Sequence, residues 1–213
     1  VDMQQVNYSK KAWTSQPTQS INYVSCHDDM MLTDRLKANK RLRPGELQKL
    51  SKLAQTAVLT SQGIPFLWCG EEIARDKKGV HNSYCSPDDI NAIDWSLKDK
   101  NLDLFRYYQG LIALRKAHPA FHMGDADLVR ANVHFLPVEE GVVAYQLNGE
   151  AVGDSWKTIV VILNSKLRTA QVALPAGTYR FAFVDGQCPF YGERIAEGTV
   201  RVEPQSAAIL YLQ

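Results

Sequence analysis

The sequence carries almost no net charge, because 24 Lys and Arg residues balance 23 Asp and Glu residues in a chain of 213. A balanced charge gives no electrostatic reason to expect nucleic acid or an anionic membrane as a partner. No apolar run approaches the length that spans a bilayer, and the longest, residues 158–163, has the length of a strand. A signal peptide is also absent, but the chain begins with Val rather than Met. We therefore expect a fragment whose compartment stays open, since the signal of a secreted or cell-envelope protein would lie upstream.

Patterns typical of metal sites and disulfide-built folds are missing as well. The four cysteines form no C-x-x-C pair, so we expect four free thiols. No D-x-D-x-D-G calcium loop occurs, and His27 and Asp28 have no third ligand at a recognisable spacing. Ser25 and Ser61 both lie outside a G-x-S-x-G sequence, which argues against a serine nucleophile. The sequence therefore predicts neither a metal ion nor a cofactor.

The residues before about position 125 read as strands alternating with helices. Short apolar runs predict strands over residues 21–25 and 64–68. Between them a helix should start at Pro44-Gly45-Glu46 and end at Gly63, and a second helix over residues 104–114 should stop at His118-Pro119. This order predicts parallel strands, in either a small open sheet or the tail of a barrel. The long polar loop over residues 70–100 favours the barrel.

The remaining residues read as a succession of short strands separated by turns. Strands are predicted over residues 142–147, 158–163, 170–174, 179–184, 199–202 and 207–212. Short strands at this spacing favour an antiparallel β-sandwich. We therefore predict an α/β domain over residues 1–125 and an all-β domain over residues 126–213.

Two polar clusters are candidates for chemistry. His27, Asp28 and Asp29 directly follow the first predicted strand, where side chains face the mouth of a sheet or barrel. A loop histidine and a helix-capping aspartate would give the same pattern. Polar and aromatic residues over 71–95 suit sugar binding, although loops are polar in any case. Glu71 or Glu72 could serve as a second carboxylate beside Asp28, or Gly-Glu-Glu could simply start a helix.

Three segments resemble the type I pullulanases of the alpha-amylase clan of glycoside hydrolases. They read INYVSCHDD (residues 21–29), LTSQGIPFLWCGEEIARDKKGVHNSYCSPDDINAIDW (residues 59–95) and YYQGLIALRKAHPAF (residues 107–121). The resemblance covers roughly residues 4–123. It implies that these residues form the last two βα units of a (β/α)8 barrel, followed by the carboxyl-terminal β-sandwich.

The resemblance also implies roles for individual residues. Asp28 would be the transition-state stabiliser, whereas the nucleophile and the acid/base would lie upstream of Val1. Arg75 would either be a further, weaker sugar contact or only brace the loop. Cys26 and Asp29 depart from the family, which often has Lys and Asn there, so branch-point selectivity is less secure than clan membership. The substrate-binding residues would be His27, Asp29, Asn82, Asp88 and Asn91.

The resemblance therefore implies that this chain is part of a starch-debranching glycoside hydrolase. The parent enzyme would act on α-1,6 linkages of pullulan, amylopectin or glycogen with retention, and the isolated chain would be inactive. Its partners would be the α-glucan and the missing amino-terminal part of the enzyme, and the exposed edges of a truncated barrel could drive self-association. Two alternatives stay open: a glucan-binding module, and a fragment of an isoamylase or neopullulanase.

Overall fold

The computed structural model describes residues 14–39, 42–43, 45–188 and 193–213. The helices are α1 (Leu32–Asn39), α2 (Glu46–Thr60), α3 (Asp88–Asn91), α4 (Ser96–Lys100), α5 (Leu102–Ala117) and α6 (Ala126–Asn132). The strands are β1 (Ile21–Asn22), β2 (Ile64–Pro65), β3 (Val133–Phe135), β4 (Val142–Asn148), β5 (Thr158–Asn164), β6 (Ala170–Ala173), β7 (Tyr179–Val184), β8 (Ile195–Ala196), β9 (Thr199–Val202) and β10 (Ser206–Leu212). The part of the resemblance that covers residues 4–13 lies outside the described residues. Within the described ranges, no helix combines the length and the apolar character that crossing a membrane requires.

Strands β1 and β2 pair in parallel, as predicted, with Ile21 opposite Ile64. The ladder is closed by the Ile64 N–H, which donates to the Ser20 carbonyl at 2.8 Å, and by the Phe66 N–H, which donates to the Asn22 carbonyl at 2.9 Å. Both strands are shorter than the predicted residues 21–25 and 64–68. The apolar run predicts extended backbone, but the ladder bonds between the two segments stop at Phe66, and apolar composition does not show where pairing stops.

The two long helices of the first half are where the sequence predicts them. α2 begins at Glu46, after Gly45 in the left-handed region, whereas Pro44 lies outside the described residues. α5 ends at Ala117, immediately before His118 and Pro119. The predicted role of Gly63 as the helix end is wrong, because α2 stops three residues earlier. Gly63 instead has φ +103°, and a Cβ there would lie 2.9 Å from the Ser20 carbonyl oxygen.

Several short elements were not predicted. The supposed loop over residues 70–100 contains α3 and α4, in addition to a 3₁₀ turn over Glu71–Ile73, where a helix start was one of two alternatives. Helix α1 has little apolar periodicity to reveal it, and β3 and β8 have only three and two residues. Helix α6 did carry a signal: the Asp125 carboxylate accepts hydrogen bonds from the Asp127 and Leu128 amides, which is a regular N-cap.

The second half forms two antiparallel sheets, as predicted. Six strands pair in the order β3-β4-β5-β10-β7-β8, and β6 pairs with β9. One face of the six-stranded sheet contacts the β6–β9 sheet in a core that includes Val160, Ile162 and Val202. The opposite face contacts α2 and α5, in a core that includes Val161 and Leu111. The two halves of the chain therefore share one apolar core, and a domain boundary between residues 125 and 126 stays a prediction.

Asn164 fastens the end of β5 to the segment that enters β10. Its side chain is fully buried. The amide nitrogen donates to the carbonyls of Arg168 at 2.9 Å, Val202 at 3.1 Å and Glu203 at 2.9 Å. The amide oxygen accepts the Lys166 N–H at 3.0 Å. Because its two amide hydrogens are shared among these three carbonyls, one buried side chain fixes the connection between the two sheets.

We predict that Asn164→Asp lowers the free energy of unfolding by about 3 kcal/mol, because the carboxyl group cannot donate to these three carbonyls. Urea unfolding of the purified chain measures the loss. Asn148→Asp, at the end of β4, is the matched control and should cost far less. An equal loss in the two variants would contradict the role given to Asn164.

Candidate functional site

His27 and Asp28 stand side by side on an exposed turn that follows β1. Their side chains are 82 % and 81 % exposed, and His27 Nε2 lies 3.5 Å from Asp28 Oδ2. The turn leaves the carboxyl end of a strand that is parallel to its neighbour, the position at which α/β proteins gather functional groups. An open carboxylate beside an imidazole can hydrogen-bond a polar ligand and stabilise positive charge that develops on it.

Asp29 joins this turn to the long polar segment after β2. One carboxylate oxygen lies 2.6 Å from His81 Nδ1, and the other accepts a hydrogen bond from the Arg35 guanidinium. The pKa of Asp29 is held below its ordinary value, first by a hydrogen bond from the Met30 backbone and further by His81 and Arg35, while desolvation opposes them. Its backbone is left-handed, with φ +62°, which Asp tolerates better than most residues. The structure thus brings the two polar clusters of the sequence together through a residue predicted to bind substrate.

The other predicted substrate-binding residues occupy different positions in the segment after β2. Asn82 is exposed next to His81, and Asp88 is exposed as the first residue of α3. Asn91 is half-buried, and its amide nitrogen donates to the Ser83 carbonyl at 2.6 Å and to the Ser86 carbonyl at 2.8 Å. Asn91 therefore shapes the loop, whereas Asn82 and Asp88 present their polar groups to the surface.

Arg75 occupies the place expected of a brace. The buried guanidinium donates to the Cys69 carbonyl at 3.1 Å and to the Asn91 carbonyl, and it lies 5.7 Å from the centre of the Trp68 ring. Its side chain crosses directly over Gly70, where a Cβ would come within 2.5 Å of the Arg75 Cδ. These contacts tie the end of β2 to α3.

The structure corrects the nomination of Glu71 as a catalytic partner of Asp28. Glu71 is 2 % exposed, so its carboxylate cannot reach a ligand at the surface. Glu72 accepts the Gly70 N–H at 2.9 Å. The alternative prediction, that Gly-Glu-Glu starts a helical turn, is confirmed by the 3₁₀ turn over Glu71–Ile73.

The remaining reactive side chains are employed structurally. Ser61 donates to the Ala57 carbonyl at 2.5 Å, within the last turn of α2. Cys26, Cys69, Cys85 and Cys188 are free thiols, as predicted. In the part of the chain that the structure describes, no three His, Cys, Asp or Glu side chains cluster as metal ligands would.

Comparison with known proteins gives one consistent result. Residues 129–187 match the family described as "Pullulanase, all-beta domain". The pullulanase of Bacillus subtilis is 36 % identical over 161 residues, which are 75 % of this chain and 22 % of that protein. The structure of the pullulanase from Bacillus acidopullulyticus superposes with a TM-score of 0.89 at 38 % identity, over 93 % of this chain and 25 % of that one. The chain belongs to the pullulanase family.

A second solved structure, a pullulanase from Anoxybacillus complexed with maltotriose, superposes with a TM-score of 0.86 at 38 % identity. The superposition covers 93 % of this chain and 28 % of that pullulanase. The chain therefore spans about a quarter of the length of these pullulanases. Its helices and antiparallel sheets resemble their carboxyl-terminal region.

Sequence reasoning missed a buried polar cluster around Glu71 in this pullulanase-family chain. The Ser25 hydroxyl donates to one carboxylate oxygen, and Gln55 Nε2 donates to the other at 2.9 Å. Ser25, Gln55 and Tyr108 are each at most 4 % exposed. Desolvation by burial raises the pKa of Glu71 from 4.5 to about 7, against the hydrogen bonds that favour the carboxylate. The one sequence signal for this burial was an acidic residue placed close after the apolar residues of β2. Because β2 has only two residues, the sequence did not show that this acid would be buried.

Lys77 is a second residue that sequence reasoning missed. It is 4 % exposed, and its ammonium lies 4.1 Å from the centre of the Trp68 ring and donates to the Ser83 hydroxyl. Burial lowers the pKa of Lys77, and the charge of Arg75 adds to this effect. Lys77 therefore holds the Asn82 segment against the end of β2.

We predict that Glu71 makes the stability of the chain depend on pH between about 4.5 and about 7. Because the folded-state pKa is raised, the folded chain holds a proton that the unfolded chain has already released in this window. The stabilisation from that proton is complete below pH 4.5 and is lost as pH rises through about 7. Glu71→Gln should remove this slope, which amounts to about 3 kcal/mol at most.

Urea unfolding of the wild-type chain and the Glu71→Gln variant at several pH values measures the difference. Glu150→Gln changes an exposed carboxylate on the β-sheet half and is the matched control, which should keep the wild-type slope. Parallel curves for wild type and Glu71→Gln would exclude the raised pKa.

Proposed function

We propose that this chain is the part of a starch-debranching glycoside hydrolase that supplies Asp28 as transition-state stabiliser and one wall of the glucan-binding cleft. The observation that carries the proposal is the exposed pair of His27 and Asp28 after a parallel strand, in a chain belonging to the pullulanase family. The substrate would be an α-glucan with α-1,6 linkages, such as pullulan, amylopectin or glycogen. The maltotriose bound by the Anoxybacillus pullulanase supports a glucan ligand.

The proposed chemistry is retaining glycoside hydrolysis, in which one carboxylate attacks the sugar and another protonates the leaving oxygen. The transition state carries positive charge on the sugar ring, so a third carboxylate close to the ring lowers its energy. Asp28 takes this role, and His27 donates a hydrogen bond to a sugar hydroxyl. The nucleophile and the proton donor would come from protein outside these 213 residues. The isolated chain should therefore be inactive.

The first half also has the surface expected of an incomplete barrel. Ile21 and Ile64 lie opposite each other in the parallel pair and are 57 % and 46 % exposed. Tyr23 and Phe66 continue the same face, with their rings 6.1 Å apart edge to face. Four neighbouring apolar side chains at the surface are costly to leave in water. We propose that β1 and β2 are the last two strands of a (β/α)8 barrel, and that the rest of the barrel covers this face.

The same four side chains account for two further proposals. Residues 1–125 would form the end of the barrel domain and residues 126–213 the β-sandwich domain. Without the rest of the barrel, the isolated chain would self-associate through the face of Ile21 and Ile64, because burying an apolar edge is favourable.

A chimera tests the catalytic proposal directly. The corresponding segment of the Bacillus subtilis pullulanase, the 36 % identical relative, is replaced by this chain. We expect the chimera to release reducing sugar from pullulan and Asp28→Asn to lower kcat on the order of a thousandfold, since one charge-stabilising group is lost. KM should change little, because Asp28 acts mainly in the transition state.

Asp99→Asn, which changes an exposed carboxylate of α4, is the matched control and should retain the activity of the chimera. An active chimera that is indifferent to Asp28→Asn would overturn the assignment. Hydrolysis of pullulan by the isolated 213-residue chain would overturn the proposal that its partners lie elsewhere.

A further inference from the structure

One buried hydroxyl closes the turn that carries His27 and Asp28. Ser25 precedes the turn, and its Oγ accepts the N–H of Leu32, the first residue of α1, at 3.2 Å. The same oxygen donates its only hydrogen to Glu71 on the segment after β2. The two ends of the turn are thus tied to each other and to the neighbouring strand by a single side chain.

The direction of these hydrogen bonds depends on the carboxylate. A serine hydroxyl has one hydrogen, so donation to an ionised Glu71 leaves its lone pairs turned toward the Leu32 N–H. A protonated Glu71 carries a hydrogen of its own, which needs an acceptor. The Ser25 oxygen is already in hydrogen-bond contact with the carboxylate, and Gln55 presents its Nε2 to the other carboxylate oxygen. A hydroxyl oxygen has two lone pairs, so Ser25 could accept from Glu71 and from the Leu32 N–H together, but its own hydrogen would then lose Glu71 as acceptor. Protonation therefore reverses the Ser25–Glu71 hydrogen bond and makes the Ser25 hydrogen turn toward the side occupied by the Leu32 N–H or stay unpaired.

We propose that Glu71 is a positioning residue for the turn that carries His27 and Asp28, acting through the Ser25 hydroxyl and the Leu32 amide. The ionised carboxylate holds the turn closed, and its protonation loosens the turn. The importance of this turn for catalysis rests on the proposed function. The connection from Glu71 to Leu32 does not rest on the proposed function, because it can be observed in this chain without a substrate.

Four elements pack around the Glu71 carboxylate. Ser25 faces it from the β1 side, Gln55 from α2 and Tyr108 from α5, and the Trp68 backbone supplies a further hydrogen bond. Glu72, on the same turn, raises the pKa of Glu71, although less than burial does. Burial raises the pKa of Tyr108 far above its ordinary value, so the tyrosine stays neutral throughout the physiological range. Glu71, with its pKa raised to about 7, should itself titrate near neutral pH.

NMR of the purified chain tests the proposal. The backbone amide of Leu32 is followed from about pH 5.5 to about pH 8.5, together with its hydrogen exchange corrected for the intrinsic rate. We expect one transition with a midpoint of about 7 and stronger protection above it. Glu71→Gln should remove the transition, and Ser25→Ala should lower the protection of Leu32 about tenfold at every pH.

Two matched variants separate the effect of Glu71 from that of the imidazoles of His27 and His81. His27→Gln and His81→Gln should leave the Leu32 transition in place, and the amide of Val161 in β5 should show no such transition. The proposal is overturned if the transition persists in Glu71→Gln, disappears with either histidine, or is absent from the wild-type chain. None of these results depends on the activity of the chimera, which tests the proposed function independently.

Discussion

The structure depends on the burial of one face of the six-stranded sheet by α2 and α5. Leu59 of α2 and Leu111 of α5 contact Val161 and Ile209 in a single apolar core, which none of these elements could form alone. Buried hydrogen bonds strengthen the same junction. The Arg115 guanidinium donates to the carbonyls of Leu59, Ser61 and Gly63, at and just beyond the end of α2, at distances between 2.7 and 2.9 Å. Because the helices are held by the sheet, they can in turn hold the site.

Helix α2 transmits this support to the polar cluster. Its buried side carries Leu59 into the core and, one turn earlier, the fully buried Gln55 against the Glu71 carboxylate. The Thr56 hydroxyl and the Tyr107 hydroxyl lie 2.8 Å apart and connect α2 to α5 nearby. The exposed turn of His27 and Asp28 therefore rests on a buried layer, which the role proposed for Asp28 would require, since catalytic geometry has to be kept within fractions of an ångström.

The sequence predicted the long elements and the polar turn that follows β1, because both have strong local signals. The apolar face of α2 and the continuous apolar run of β5 follow from residue spacing alone. The exposed position of Asp28 follows from polar residues placed directly after a strand. The bond between Asp29 and His81 spans 52 residues of sequence, and no local pattern predicts which side chains meet across that distance. For the same reason Glu71 seemed a candidate partner of Asp28, and only the structure places it beneath the turn.

A buried carboxylate that has no cationic partner among the described residues costs free energy, so its presence beneath the turn needs a physical reason. A hydrophobic residue at position 71 would avoid that cost, but it would leave the Ser25 hydroxyl and the Gln55 amide without an acceptor in a dry environment. The carboxylate instead directs both donors, and through Ser25 it sets the start of α1. An arrangement that fixes the positions of these groups lowers the free energy of unfolding. It is most useful where the position of one exposed side chain matters more than overall stability.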